Sequence, residues 1–514
     1  MRRQDVMSEK DFISLSAGRC ICVFDVGKTN KKLLVFDEAL RIIDSVYETF
    51  DAAEKDALYV EATEATADWL LASPRSLTSR HDIGVISIAA HGATFACLDR
   101  CDQLALPVLS YTSDPGPDFH QEFQTRFGDP RSFQSRMNTP DIPGLGCMAK
   151  GIYFVQTRFP EQFANTRALL PLPQYYGFLL TGRKGIEHTY LANHTGLWNF
   201  HDGAWSDVAV ALGVIDLFPP VISKPWDVLG CVNPAVADKT GLRPDTVVTV
   251  GIHDSNASLL PYLIKTKGDF VLNSTGSVCV AMHPTDTVHL SEDELGKVVF
   301  YNLSAFLQPV KTSIFLAGIE FDTYMGLLNS RHGDQPYPAL DLALLEDVLT
   351  TGREFLLPSL VPFGMFPDSP ARAVEDSATY SLMEMFGGKT PSFFNNFDRA
   401  YTVLNLSLAI QTQVALERAG WEDGTEIFVE GGFRKNEVYT RILASLFPNA
   451  RTTLTNLEEA TAFGAALIGK AARENCSPEL LGNLFEIEKK PVVPLNLRSL
   501  EAYRGEFFRL VSPG

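Results

Sequence analysis

The sequence predicts an α/β protein built as two similar domains. Three observations lead there. The chain has 514 residues, long for one core and the natural length for two domains of roughly 200–250 residues each. Turns rich in Gly, Ser, Thr or Asn, of the kind that present backbone N–H groups to phosphate oxygens, occur twice. They are Asp25-Val26-Gly27-Lys28-Thr29-Asn30 and Asn273-Ser274-Thr275-Gly276-Ser277. Each turn lies between two strand-like runs, so the chain reads as a weak internal duplication. Neither turn is a P-loop, because the G-x-x-x-x-G-K-[ST] pattern is absent.

The elements follow in order. Residues 21–25 and 32–36 are predicted as strands flanking the first turn, and 41–49 as a third strand completing an antiparallel meander. Residues 54–71 are predicted helical and 83–89 a strand of β-branched character. His91 to Asp99 reads as a turn and another strand, and 118–127 and 148–158 as helices. Residues 246–251 form a short buried strand running into His253-Asp254, with a helix over 256–263. From Asp269 the pattern restarts, with strands at 269–272 and 277–282 around a turn at 274–276. Residues 285–295 and 331–340 are polar connections, and 352–366, rich in Pro, Phe and Gly, is a structured loop. Residues 399–419 form a long amphipathic helix ended by Gly420. A strand at 426–429 leads into Gly431-Gly432, a helix at 437–446, and an Ala/Gly-rich helix at 458–473 suited to close packing. The domains are placed at 18–256 and 257–480, with a C-terminal extension at 481–514.

Hydrophobic residues at 45% and charged residues at 21% describe an ordinary globular protein. The net charge of −18 argues against nucleic acid or an anionic membrane as partner. It leaves room for an anionic nucleotide held by local dipoles and a few cations. The 8 cysteines are scattered, several in apolar runs, and read as reduced interior residues of a cytoplasmic protein. Cys97 and Cys101 lack a second Cys/His pair to complete a metal site, and no role is assigned to them. Residues 1–17 are polar without an apolar h-region, so no signal peptide is expected. No apolar stretch reaches about 18 residues, so no membrane-spanning helix is expected.

The chemistry-bearing residues each have a functional and a structural reading. Asp25, at the end of a buried strand, either holds Mg²⁺ through water beside bound phosphates or caps its turn. Lys28 and Lys32 either neutralise phosphoryl charge or form a solvated edge, the reading preferred for Lys31. Asp254 at the mouth of a strand suits a general base for phosphoryl transfer to an alcohol; alternatively it caps the following helix. His253 reads as a positioning or core histidine. Gly431-Gly432 would let an adenine lie on bare backbone, with Asn436 bonding its edge, or would make a plain strand-to-helix turn. His91, Thr94, Asp114, Asp141 and Gln174 are either sugar-hydroxyl partners or structural.

Together these segments resemble the FGGY carbohydrate kinases, in the superfamily of actin, hexokinase and the heat-shock chaperone ATPases. Asp25-x-Gly27-x-Thr29 is similar to the family's first phosphate motif, and Ser274-Thr275-Gly276-Ser277 to the second. Gly431-Gly432 with Glu459-Ala460-Thr461-Ala462-Phe463-Gly464-Ala465-Ala466 resembles the adenosine region and its E-x-x-A-x-G-A-A helix. Leu180-Thr181-Gly182, Trp198 and Trp205 resemble a first-domain stretch. The match covers roughly residues 20–475 in the right order. The resemblance implies two ribonuclease-H-like (actin-like ATPase) domains flanking a catalytic cleft, with sugar mainly on the first and ATP mainly on the second. It implies ATP and Mg²⁺ as cofactors, Asp254 as catalytic base, Asp25 as the metal-holding residue, and a homodimer as the family's habit. ATP would contact Gly27, Lys28, Thr29, Asn30, Ser274, Thr275, Gly276, Ser277, Gly431, Gly432 and Asn436. Sugar would contact His91, Thr94, Asp114, Gln174, His253 and Asp254.

Two positions depart from the pattern: Lys28 stands where the family usually has Thr, and Gln174 where many members have Asp. His253-Asp254-Ser255 is closer to the His-Asp-Thr of the rhamnulose and fuculose kinases than to the Gly-Asp of the glycerol and xylulose kinases. The segment from His91 to Asp99 resembles the same deoxysugar kinases, with Ala93-Thr94 in place of their Val-Asp. The expected substrate is therefore a ketose, with a 6-deoxyketohexose such as L-rhamnulose or L-fuculose first. A pentulose, glycerol or a polyol is the alternative acceptor. A sugar or nucleotide sensor without transfer, and a chaperone-type ATPase, are the other readings.

Overall fold

The computed structural model describes residues 19–55, 58–361 and 364–512; the polar stretch 1–17 lies outside them. The apolar run after Arg19 becomes β1 (Cys20–Val26), buried from Ile21 onward. β2 (Asn30–Phe36) returns antiparallel to it and β3 (Ile42–Thr49) antiparallel to β2. β4 (Ile83–Ala90), buried at every position, lies parallel to β1. Burial on both faces explains its continuous apolar sequence. β5 (Val228–Cys231) and β6 (Val247–Thr249) extend the sheet, giving the order β5-β6-β4-β1-β2-β3, and β7 (Ile252–His253) pairs with the end of β4.

The second sheet repeats this plan. β8 (Phe270–Thr275) is its β1, β9 (Cys279–Pro284) runs antiparallel to β8, and β10 (Val299–Leu303) and β11 (Pro309–Phe315) complete the antiparallel side. β12 (Glu426–Gly431) and β13 (Thr452–Thr455) are the parallel strands, and β14 (Lys489–Pro491) closes the edge. The order is β10-β11-β9-β8-β12-β13-β14. Stripped of extras, both sheets are an antiparallel meander whose first strand is central, followed by two parallel strands. The duplication and the paired α/β ribonuclease-H-like domains expected from the sequence are thus present.

Two helices cross between the sheets. α1 (Asp254–Lys265) leaves the first domain and lays Leu259 and Tyr262 on the second sheet, against Phe270, Leu272 and Phe428. The second domain is filled by α2 (Phe397–Arg418). α3 (Ala460–Glu474) comes from the second half but packs on the first sheet, its alanines against Ile21, Val23, Leu34 and Phe36. A cut at 256/257 therefore falls inside α1, and each sheet is covered by a helix of the other half. Residues 489–512 are integral to the second domain: β14 pairs with β13, and α4 (Leu500–Val511) buries Tyr503, Phe507 and Val511 in its core.

Three expectations are corrected. Residues 54–71 are not one helix; Ala53–Lys55 and Leu58–Val60 are strands and only Thr63–Ala72 is helical. Long-range pairing overrides local propensity here, because Ser110 N–H donates to the Tyr59 carbonyl and Glu61 N–H to that of Val108. α2 is not amphipathic but buried on nearly every side, as a helix sandwiched between layers must be. The second turn begins two residues later than expected, at Gly276, since β8 runs through Thr275.

Candidate active site

Register places the two key carboxylates. Asp25 opposes Ala89 of β4 from one side, while Ile252 and His253 oppose Ala89 and Ala90 from the other. Asp25 and the residue after β7, Asp254, thus stand two strands apart, about 10 Å. Both lie at the C-terminal ends of parallel strands, the end where α/β sheets leave a crevice. Gly251, at φ 94 with the Ile88 carbonyl 2.8 Å from where a Cβ would stand, makes the break between β6 and β7.

Asp254 is the first residue of α1. Its Oδ1 accepts from Ser255 N–H (2.6 Å) and Ser255 Oγ (3.3 Å), and its side chain is 27% exposed. Burial raises its pKa above the carboxylate range, opposed by the nearby His91 and the Ser255 bonds. The helix is capped not by Asp254 but by His253, whose Nδ1 accepts from Ser255 N–H. Asp25 is 6% exposed, and burial pushes its pKa up to about 7; Lys32 lowers it, while Asp254 and Glu459 raise it.

The lysines of the first turn have divided roles. Lys32 Nζ lies 3.8 Å from Asp25 and 2.6 Å from Glu459 Oε2, tying the turn to the start of α3. Lys31, expected as a solvated edge, is 4% exposed and donates to the Lys28 carbonyl (2.9 Å), holding the turn closed. Lys28, expected at the phosphates, points the other way. Its ammonium donates to Glu61 and to Ser110 Oγ (2.6 Å) and sits over the Tyr111 ring. Gly27, Thr29 and Asn30 form the turn itself, with Thr29 and Asn30 exposed.

In the second domain Ser274 and Thr275 end β8, and Gly276-Ser277 make the turn. Thr275 Oγ1 donates to the Glu430 carbonyl and accepts from Phe433 N–H (3.1 Å), joining this turn to Gly431-Gly432. Gly431 has φ 80, and a Cβ there would stand 2.0 Å from the Thr275 carbonyl oxygen, so glycine is required. Arg434 carries the connection to Glu458 (3.0 Å), beside Glu459 and hence Lys32. A continuous bonded path therefore links the two turns. Asn436 differs from expectation: it is 6% exposed, its Oδ1 caps helix Glu437–Leu446 and its amide donates to Asn405 (2.7 Å), so its side chain shapes the turn.

On the other side of Asp254 stand His91, His194 and His253. His91 is buried against Tyr111 and couples electrostatically to both Glu61 and Asp254. The remaining expected sugar partners are placed otherwise. Thr94 is wholly buried, its N–H donating to Tyr190 Oη (3.0 Å). Gln174 is wholly buried and donates to the Val250 carbonyl (3.0 Å). Asp114 is largely exposed and bonded to His120 (2.7 Å) and its own loop. Asp141 pairs with the buried Lys150. Sequence reasoning missed Glu61, Tyr111 and His194 as site residues; Glu61 reaches the site through the pairing of residues 59–61 with 108–110.

All eight cysteines are free, and burial pushes the Cys97 thiol up to about 12, while Cys101 is exposed. Among the described residues no helix is long and apolar enough to cross a membrane, and no group of three or more His, Cys, Asp or Glu is arranged to hold a metal ion.

Residues 20–261 match the N-terminal domain of the FGGY family of carbohydrate kinases, and residues 267–478 match the C-terminal domain of carbohydrate kinase FGGY. A xylulose kinase from Bacillus subtilis (strain 168) is 26% identical over 327 residues, 61% of this chain and 60% of that protein. A rhamnulokinase from Enterococcus faecalis is 31% identical over 101 residues, 20% of each. The chain thus aligns with only part of each of these relatives. A carbohydrate kinase structure from Novosphingobium aromaticivorans superimposes with TM-score 0.76 at 27% identity, covering 96% of this chain and 98% of that one.

Proposed function

Because this chain belongs to the FGGY family of carbohydrate kinases, we propose that it transfers the γ-phosphoryl group of ATP to a hydroxyl of a ketose. The carrying observation is the pair of carboxylates, buried Asp25 and half-buried Asp254, flanking β4 at its C-terminal end, each with a pKa raised first by burial. In the step, Asp254 accepts the proton of the sugar hydroxyl. The freed oxygen lone pair forms a bond to the γ-phosphorus, and the bond from that phosphorus to the β–γ bridging oxygen breaks, releasing ADP. Placing reactants in line and stabilising the transferred charge is most of what a protein contributes to this chemistry.

The turns at Gly27–Asn30 and Gly276-Ser277 offer backbone donors to the phosphates, and Gly431-Gly432 a bare surface for the base. Mg²⁺ fits the donors present: it takes one or two carboxylates and otherwise phosphate oxygens and waters, and Asp25 supplies a carboxylate. When bound, it would neutralise charge on the β- and γ-phosphates.

For the acceptor, two sugar classes have support. His253-Asp254-Ser255 favours a 6-deoxyketohexose such as L-rhamnulose or L-fuculose. The longer similarity to a protein named xylulose kinase favours a pentulose equally. The test is ADP release with ATP and Mg²⁺ against L-rhamnulose, L-fuculose, D- and L-xylulose, D- and L-ribulose, glycerol and erythritol. One ketose that accelerates release far above the others supports the reading and names the class. Release that no compound stimulates overturns it in favour of a sensor or a plain ATPase.

The pKa of Asp25 gives a further expectation. Activity requires ionised Asp25 and Asp254, so kcat/KM falls on the acid side at a pH above that of an ordinary carboxylate. Lys32 lowers the Asp25 pKa. Lys32→Met is therefore expected to move the acid limb of the kcat/KM profile to higher pH, and an unmoved limb would show that this cation does not govern Asp25.

A further inference from the structure

Glu430 buries a carboxyl in an otherwise apolar run of β12. It is 2% exposed, and Ile427, Phe428 and Val429 before it are wholly buried. A carboxyl so placed is unfavourable unless hydrogen bonds satisfy it. Tyr262 Oη donates to its Oε2 (2.9 Å) and, with that proton used, accepts from Thr455 Oγ1 (2.6 Å). Burial pushes the Glu430 pKa up to about 7, and hydrogen bonds from Ser274, Tyr262 and Ser258 pull against that rise. Arg434 stands near but directs its guanidinium to the Thr455 carbonyl (3.1 Å) and to Glu458 (3.0 Å). Hydroxyls are therefore what bond this carboxyl.

Those hydroxyls come from two parts of the site. Ser274, at the end of β8 just before the Gly276-Ser277 turn, is the register partner of Glu430, so the two side chains share a face of the sheet. Leu272 and Phe428, two residues earlier on each strand, pack that same face on Leu259 and Tyr262 of α1. Asp254, Ser258 and Tyr262 recur every four residues and form one stripe of α1. The carboxyl thus grips both the stripe that starts with Asp254 and the strand end that leads into the second turn. The main chain of Glu430 holds that turn separately, its carbonyl accepting from Thr275 Oγ1.

We propose that Glu430 is a positioning residue for phosphoryl transfer: its carboxyl ties the Asp254 stripe of α1 to the second phosphate turn and so fixes the separation of the base from the γ-phosphate. The proposal rests on the kinase reading above and deepens it. Glu430 acts through Asp254 and not on the reacting atoms.

The test compares Glu430→Ala and Glu430→Gln with the wild type, each also in an Asp254→Asn background, by steady-state and single-turnover kinetics with ATP, Mg²⁺ and the ketose that the wild type phosphorylates. Ala removes the carboxyl but leaves the carbonyl that holds Thr275, so KM for ATP should stay close to the wild type. kcat is expected to fall about tenfold to a hundredfold, the effect of misplacing a reacting group by about 1 Å. Gln keeps the length, accepts from Tyr262 and donates to Ser274, so it should recover most of that loss. In Asp254→Asn, where the base is gone, Glu430→Ala should lower the residual rate no further. A fall by the same factor in both backgrounds is what structural damage alone would give, and it overturns the proposal. Wild-type kcat in Glu430→Ala, or a Gln variant no better than Ala, overturns it as well. A wild type that phosphorylates no ketose overturns it together with the kinase reading. If Glu430→Ala does not fold, Tyr262→Phe takes its place in both backgrounds, since it removes one of the bonds and keeps the carboxyl. A smaller fall in kcat that vanishes in Asp254→Asn is then expected, and an unchanged kcat overturns the proposal.

Discussion

Asp254→Asn is expected to lower kcat by about a thousandfold, within the 10² to 10⁴ that a positioned general base contributes, and to leave ATP affinity nearly unchanged. The substitution keeps the shape and removes only the proton acceptor. The elements proposed to face ATP, β8, its turn and Gly431-Gly432, are bonded to one another through Thr275, and those bonds do not involve Asp254. Stability gives an independent reading. The folded pKa of Asp254 is raised, so the folded state holds the proton more tightly than the unfolded chain does. The stability contributed by this group is full below the unfolded pKa and is lost as pH rises through the folded one. Removal of the carboxyl removes that loss, and the variant should melt no lower than the wild type at neutral pH. Rapid-quench single turnovers, ATP binding and melting curves measure the three effects. Turnover within tenfold of the wild type would sink the assignment of Asp254 as base.

The parts legible in the sequence are those that local chemistry dictates. The meander around Gly27 and its repeat around Gly276 are written in short apolar runs broken by turn residues, and their strands begin and end within three residues of the expected positions. Asp25 and Asp254 were visible because each ends a buried strand beside a small-residue turn. What escaped depends on contacts distant in the chain. Glu61 sat in a stretch read as helix until pairing with residues 108–110 drew it into the site. The direction of Lys28 is set by that same glutamate. Asn436 reads as an adenine partner in the sequence, but its place just before Glu437–Leu446 is also the signature of a helix cap, and its side chain makes that cap. Thr94 and Gln174 are polar residues spent on backbone groups in the interior, and polarity alone does not distinguish that from a role in binding. No local pattern reveals that α1 and α3 exchange sheets, since the exchange is a property of topology.

That exchange makes Gly464 the residue whose substitution should most damage the fold and the chemistry together. Gly464→Ala would place a Cβ 1.8 Å from the Ala257 carbonyl oxygen and 2.6 Å from its carbon. The neighbour is helix backbone, not the end of a flexible side chain, so α1 and α3 must move apart. Both helices are pinned on their far sides, α1 through Tyr262 against Phe428 and α3 through Gly469 against Ile21 and Val85. The strain is thus passed to the two sheets, and overpacking of this kind costs about 3 kcal/mol or more. Because α1 begins at Asp254, displacement of its first turn shifts the base relative to Asp25. A misplacement of about 1 Å at a reacting group costs on the order of a hundredfold in rate. The variant is expected to melt well below the wild type and, at temperatures where it remains folded, to lose kcat with ATP affinity largely kept. Gly505→Ala in α4, where a Cβ meets nothing within 4 Å, should do neither. A Gly464→Ala protein with wild-type melting and turnover would show that the crossing helices are not the rigid link between the carboxylates.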